Sequence, residues 1–184
     1  MKVLEKVSRI LMNNWKENLL AIILMLSSLI LDGFIANYWS TALDTNYGLM
    51  VPRMTFLVFI ILAFYYEKNF MIISAVIFGF LMDTYYLGFL GIYILSLLAI
   101  VTAIFKFKEL VQANVVSYTL LTIVLITAIE IFIYGVIRIL GITGISIQEF
   151  LVEKLAATLF LNTLIMLFSS YFIQKLILKT MDKN

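Results

Sequence analysis

Of the 184 residues, 64% are hydrophobic and 13% are charged, and the net charge is +2 at neutral pH. Soluble domains carry roughly a quarter charged residues, so a chain with half that share cannot cover itself against water and takes lipid as its outer solvent. The mean hydropathy of +1.08 agrees. With no cysteine and no histidine, disulfides, thiol chemistry and the usual zinc, haem and iron–sulfur ligand sets are excluded, and the small net charge gives no support for a nucleic-acid partner.

A membrane-spanning helix needs ~20 predominantly apolar residues, and six runs approach that length, predicting an all-α, polytopic helix bundle that forms one integral membrane domain over residues 1–184. The first helix is expected at about 19–38, interrupted only by Asp32. Its basic lead (Lys2, Lys6, Arg9, Lys16) precedes an apolar run too long for a signal peptide, so it reads as a retained first span. Trp15 and Trp39 stand at its two ends, as interfacial aromatics do. The second is expected at 49–66, with Pro52 in its first turn, where a missing N–H is harmless. The third, 70–87, carries Asp83 near its far end, and Gly88 and Gly91 mark a tight reversal into the fourth, 88–105. The fifth, 111–137, holds Glu130, and the sixth covers 155–173.

Lys and Arg asymmetry sets orientation. With the N-terminus inside, the cytoplasmic segments hold Lys2, Lys6, Arg9, Lys16, Lys68, Lys106, Lys108, Lys175, Lys179 and Lys183, whereas the outside holds only Arg53, Arg138 and Lys154. Both termini are therefore expected in the cytoplasm, and the longest loops, about 37–48 and 138–150, outside.

Ionisable residues within the bilayer are costly and point to function. Here they share one depth, since Asp32, Asp83 and Glu130 fall in the outer halves of their helices and Arg53, Arg138 and Lys154 at outer helix ends. Glu130, Tyr134 and Arg138 follow one another at four-residue spacing, as do Lys154, Thr158 and Asn162, so each set lines one helix face. Two readings stand: a polar cavity or docking surface opening outward, or an ion-pair network that only holds helices together. Snorkelling to the interface is a further option for Asp32 and Arg138. Asp83 is expected to pair with Arg53 or Lys154. Gly79, one turn before Asp83, flattens the helix face and allows close approach of another helix.

Catalysis finds little support, and no cofactor or metal is expected. Asp32-Gly33-x-x-Ala36 resembles half of the motif of CDP-alcohol phosphotransferases, but Asn37 stands where that motif has arginine and its paired downstream aspartates are missing. Membrane serine proteases and metalloproteases need histidine.

Pro52 early in helix two, then Gly79, Leu81 and Asp83 followed by Gly88 and Gly91, then Thr158-Leu159-Phe160-Leu161-Asn162 in the last helix, together form a pattern that resembles the MreD family, rod shape-determining membrane proteins of bacteria. Ala157 stands where that family usually has proline. The resemblance implies a non-enzymatic scaffold in the bacterial cytoplasmic membrane. It would partner an MreC-type single-span protein, within an elongation machinery that includes MreB, RodA and a class B penicillin-binding protein, and so support cell shape and peptidoglycan synthesis. The partner helix is expected to pack along the small-residue face near Gly79. The candidate structural or partner-binding residues are Pro52, Gly79, Asp83, Gly88, Gly91 and Asn162, which the resemblance carries, together with Arg53, Glu130 and Lys154 from the cluster of ionisable residues. An alternative is the substrate-binding subunit of an energy-coupling-factor vitamin transporter, similar in size and helix count. That family's first helix carries an Ala-x-x-x-Ala docking surface, whereas here Ala21 is followed by Met25.

Overall fold

A computed structural model describes residues 15–38, 44–45, 48–87 and 91–181. Trp39, Gly88 and the terminal Lys2, Lys6, Arg9 and Lys183 lie outside the described residues. Among the described residues six helices form an all-α membrane bundle: α1 (Trp15–Tyr38), α2 (Met54–Tyr65), α3 (Lys68–Met82), α4 (Ile92–Phe107), α5 (Val115–Ile139) and α6 (Ile147–Met181). Two turns are wound more widely than an α-helix: a π-helical turn, Asp83–Leu87, extends α3, and another, Phe150–Leu155, interrupts the start of α6. Between α1 and α2 a minimal antiparallel pair, β1 (Asp44–Thr45) and β2 (Gly48–Leu49), sets Asp44 opposite Leu49.

Four helices, α1, α3 with its π turn, α5 and α6, are long and apolar enough to cross a membrane. The other two are shorter, and α2 is a special case. At ~1.5 Å per residue its 12 residues reach only about 18 Å, short of the ~30 Å hydrocarbon core. It is apolar all round, and the nine residues Thr55–Ala63 are buried in succession. A helix without a polar face belongs inside a bundle. α2 accordingly packs against α1, α3, α4, α5 and α6 and forms the centre of the core.

The expected start of helix two at residue 49 is wrong. Residues 50–53 are irregular, and the helix opens at Met54 with Arg53 as its N-cap at φ −131°, ψ 45°. Pro52 therefore lies ahead of the first turn, not in it. The last helix differs in the other direction. It begins at Ile147, eight residues before the expected 155, because Ser146 and Glu149 form a reciprocal capping box that starts it in polar sequence. The loop between α5 and α6 shrinks to match.

α3 and α4 approach most closely at Gly79. A Cβ there would stand 2.5 Å from the Ile94 Cα, so only glycine lets the two backbones meet. Gly91, at φ +116°, makes the reversal into α4, a conformation that glycine adopts without penalty.

Candidate functional site

The polar residues gather at the end of the bundle where α2, α4 and α6 begin and α1, α3 and α5 end, here called the distal end. Within lipid each unsatisfied backbone group is costly, so non-helical chain at membrane depth survives only where protein satisfies it. The N–H groups of residues 51–55 meet that demand at every position. The Val51 N–H donates to Thr158 Oγ1 at 3.2 Å. Pro52 has no N–H to place. The Arg53 N–H donates to Asn162 Oδ1 at 2.8 Å. The Met54 N–H donates to Asp32 Oδ1 at 2.7 Å, and the Thr55 N–H and hydroxyl donate to Asp32 Oδ2 at 2.9 and 2.8 Å. Asn162 completes the frame by donating through Nδ2 to the Val51 and Thr158 carbonyls, both at 2.8 Å. Side chains of α1 and α6 thus hold the irregular entry to α2, and Asp32 places its charge at a helix N-terminus, where a carboxylate is favoured.

With its N–H taken by Asn162, the Arg53 side chain turns inward. Its Nε donates to Glu130 Oε1 at 2.7 Å and its Nη1 to the Tyr93 hydroxyl at 2.9 Å. The guanidinium carbon lies 5.7 Å from the Phe56 ring centre and 5.6 Å from that of Tyr93, within cation–π range. The pair is almost fully enclosed, with side-chain exposures of 9% and 1%, so each member depends on the other against a low-dielectric surround. Glu130 Oε2 is buried with no hydrogen-bond partner among the described residues.

Asp83 does not pair with Arg53 or Lys154. Fully buried at the α3 terminus, it accepts from the Gly91 N–H (2.7 Å), the Tyr93 N–H (2.8 Å) and the Ile94 N–H (3.4 Å). It caps α4 from the preceding helix, and the cation is already taken by Glu130. Asp32 does not snorkel either, being 5% exposed and hydrogen-bonded to α2. Arg138 is exposed and donates to the Tyr134 hydroxyl and the Ile145 carbonyl, pinning the loop after α5. Gly79 faces α4 rather than a free surface, so the expected docking of a partner helix on that face is corrected: Ile94 already fills it.

The distal cluster therefore unites Pro52, Arg53, Glu130 and Asn162 around the entry to α2, with Gly79, Asp83 and Gly91 one step away in the α3–α4 turn. Lys154 sits on the π turn of α6, half-buried, with no carboxylate within 4 Å among the described residues. Three contributors were not singled out as site residues: Asp32, Thr158 and Tyr93. Tyr93 joins the two groups, since Asp83 holds its N–H and Arg53 its hydroxyl. An aspartate close before an outer helix end, followed by a turn and a new apolar run, was the available signal for both carboxylate caps.

The model of one protein family, the rod shape-determining protein MreD, matches residues 16–180. A relative from Bacillus subtilis (strain 168), rod shape-determining protein MreD, is 22% identical over 118 residues, 64% of this chain and 69% of the relative. No solved structure matches. The family match runs from the first helix to the last and takes in both capped helix starts, Asp32 with α2 and Asp83 with α4, so the chain belongs to the MreD family of rod shape-determining membrane proteins.

Proposed function

We propose that this protein is a non-enzymatic scaffold of the bacterial cell-elongation machinery. It resides in the cytoplasmic membrane with both termini inside and its distal end outside, and it binds an MreC-type single-span partner in support of cell shape and peptidoglycan synthesis. MreB, RodA and a class B penicillin-binding protein complete the assembly it serves. The observation that carries this reading is the family match over residues 16–180. A second feature supports it: Asp32, Asp83, Asn162 and the Arg53–Glu130 pair are engaged in holding the protein's own backbone and helices. Groups committed in this way serve a rigid shape rather than turnover.

Two experiments test the reading. Depletion in a rod-shaped or ovoid cell should round or widen it, and native mass spectrometry of the gently solubilised complex should show a single-span, coiled-coil partner. ATPase subunits together with a retained vitamin-like molecule would instead establish the transporter alternative. For orientation, reporter fusions after Lys68, Lys108 and Asn184 should read cytoplasm, and fusions near Asp44 and Gly144 should read outside.

A further inference from the structure

A cavity of about 150 Å³ opens at the distal end, walled by Asp32, Arg53, Met82, Tyr86, Tyr93 and Lys154. We propose that it binds the phosphate of an anionic membrane lipid, with Lys154 as the charge that recognises it.

Four observations converge on this assignment. The first is the disposition of charge. Asp32 lines the cavity, but its two oxygens accept three hydrogen bonds from the start of α2. Arg53 is matched by Glu130 at 2.7 Å. Lys154 alone of these charged groups has no counter-charge within 4 Å among the described residues. The ammonium, half-withdrawn from water, feels Glu130 and Arg53 together, and with Glu130 bonded to Arg53 it has no contacting anion of its own among the described residues. The second is chemistry: the Tyr86 hydroxyl on the wall already donates to the Leu29 carbonyl at 3.4 Å, but the Tyr93 hydroxyl, which accepts from Arg53 and keeps its own proton, and the Arg53 guanidinium suit a phosphate oxygen.

The third is backbone geometry. Both π-helical turns, the only two among the described residues, supply a wall residue: Tyr86 from Asp83–Leu87 and Lys154 from Phe150–Leu155. Such turns are uncommon and gather at functional sites. The fourth selects a lipid over a free anion. An apolar groove of about 480 Å³ runs along α1 and the end of α3, lined by Leu29, Ile30, Gly33, Phe34, Leu81 and Tyr85. Its lining residues neighbour those of the polar cavity in sequence: Gly33 beside Asp32, Leu81 beside Met82, Tyr85 beside Tyr86. A Cβ on Gly33 would stand 3.3 Å from Tyr85 Cε1 and 3.4 Å from the Tyr86 hydroxyl. The two spaces are thus bordered by the same stretch of α1 and the same π turn of α3, and an acyl chain in the groove would place its headgroup near the cavity.

This inference does not depend on the partner reading, because it is tested on the isolated full-length chain in a neutral detergent. The probes are dioctanoyl phosphatidylglycerol, dioctanoylglycerol without phosphate, and inorganic phosphate, followed by native mass spectrometry and thermal shift. The phosphatidylglycerol should bind at least about tenfold more tightly than either of the others, and Lys154→Met should weaken it about tenfold, the scale of one charge-assisted contact. Lys154→Met removes an unmatched cation and so should melt no lower than the parent, whereas Lys154→Arg should retain binding. Equal binding of phosphatidylglycerol by Lys154→Met and the parent would overturn the proposal. So would dioctanoylglycerol binding as tightly, which would leave an apolar groove alone, or inorganic phosphate binding as tightly, which would leave a free-anion site.

Discussion

The bundle contains two distal reversals that solve the same problem in different ways. In the first, α1 hands the chain to α2, and Asp32 reaches across 22 and 23 residues to the N–H groups of Met54 and Thr55. In the second, α3 hands it to α4, and Asp83 reaches across eight to eleven residues to Gly91, Tyr93 and Ile94. Each is an aspartate in the distal part of one helix capping the next. The first reversal also recruits Thr158 and Asn162 from α6 and Glu130 from α5. The second is nearly self-contained, sealed by Gly79 against Ile94 and linked outward through the Tyr93 hydroxyl. A helix that starts inside the membrane needs a cap in either case. Where the cap is local the hairpin is a unit, and where it is assembled from distant helices it ties the whole bundle together.

The largest effect is expected in the first reversal. Glu130→Ala leaves the Arg53 guanidinium buried without its carboxylate and should cost ~3–5 kcal/mol, whereas the paired change Arg53→Met with Glu130→Met should recover most of that loss. Melting in detergent of Arg53→Met, Glu130→Met and the double, read as a double-mutant cycle beside Glu130→Ala, checks it. A double mutant no more stable than Glu130→Ala would remove the pair from the account. Asp32→Ala comes next. It strips acceptors from two backbone N–H groups, at ~1–3 kcal/mol each when left unsatisfied. Hydrogen exchange should rise at Met54 and Thr55 and spread to α6, and an effect confined to α1 would break the contrast between the reversals. Smaller still is Gly79→Ala, where the added methyl must push the α4 backbone aside, at ~1–3 kcal/mol for overpacking. Its exchange increase should stay within α3 and α4. A bundle-wide loosening would show that the second reversal is not a unit.

The sequence carried the six apolar runs, the shared depth of the ionisable residues and the close approach at Gly79, because each is local and periodic. The start of α2 was not legible. Leu49, Met50 and Val51 are as apolar as the helix that follows, and what holds residues 51–53 out of the helix is Thr158 and Asn162, more than a hundred residues away. The partner of Asp83 was hidden for another reason. A carboxylate in a membrane suggests a cation, and three cations stood at the same depth, but the acceptor is satisfied by backbone N–H groups, which every sequence contains and none displays. Glu130 took Arg53 because α5 passes α2 at that level, a fact of packing rather than of spacing. Thr158 and Asn162 were visible as a polar face on the last helix, and only the fold shows that this face serves another segment's backbone.

The central claim is that the intramembrane aspartates act as caps for helix starts rather than as halves of ion pairs. It is tested most directly by comparing the thermal stability of Asp83→Asn and Asp83→Ala in detergent. Asparagine keeps one acceptor oxygen and ranks with aspartate as an N-cap, and alanine keeps none. The account predicts that Asp83→Asn retains a substantial part of the stability that Asp83→Ala loses. Equal destabilisation by the two changes would show that the charge matters and would contradict it.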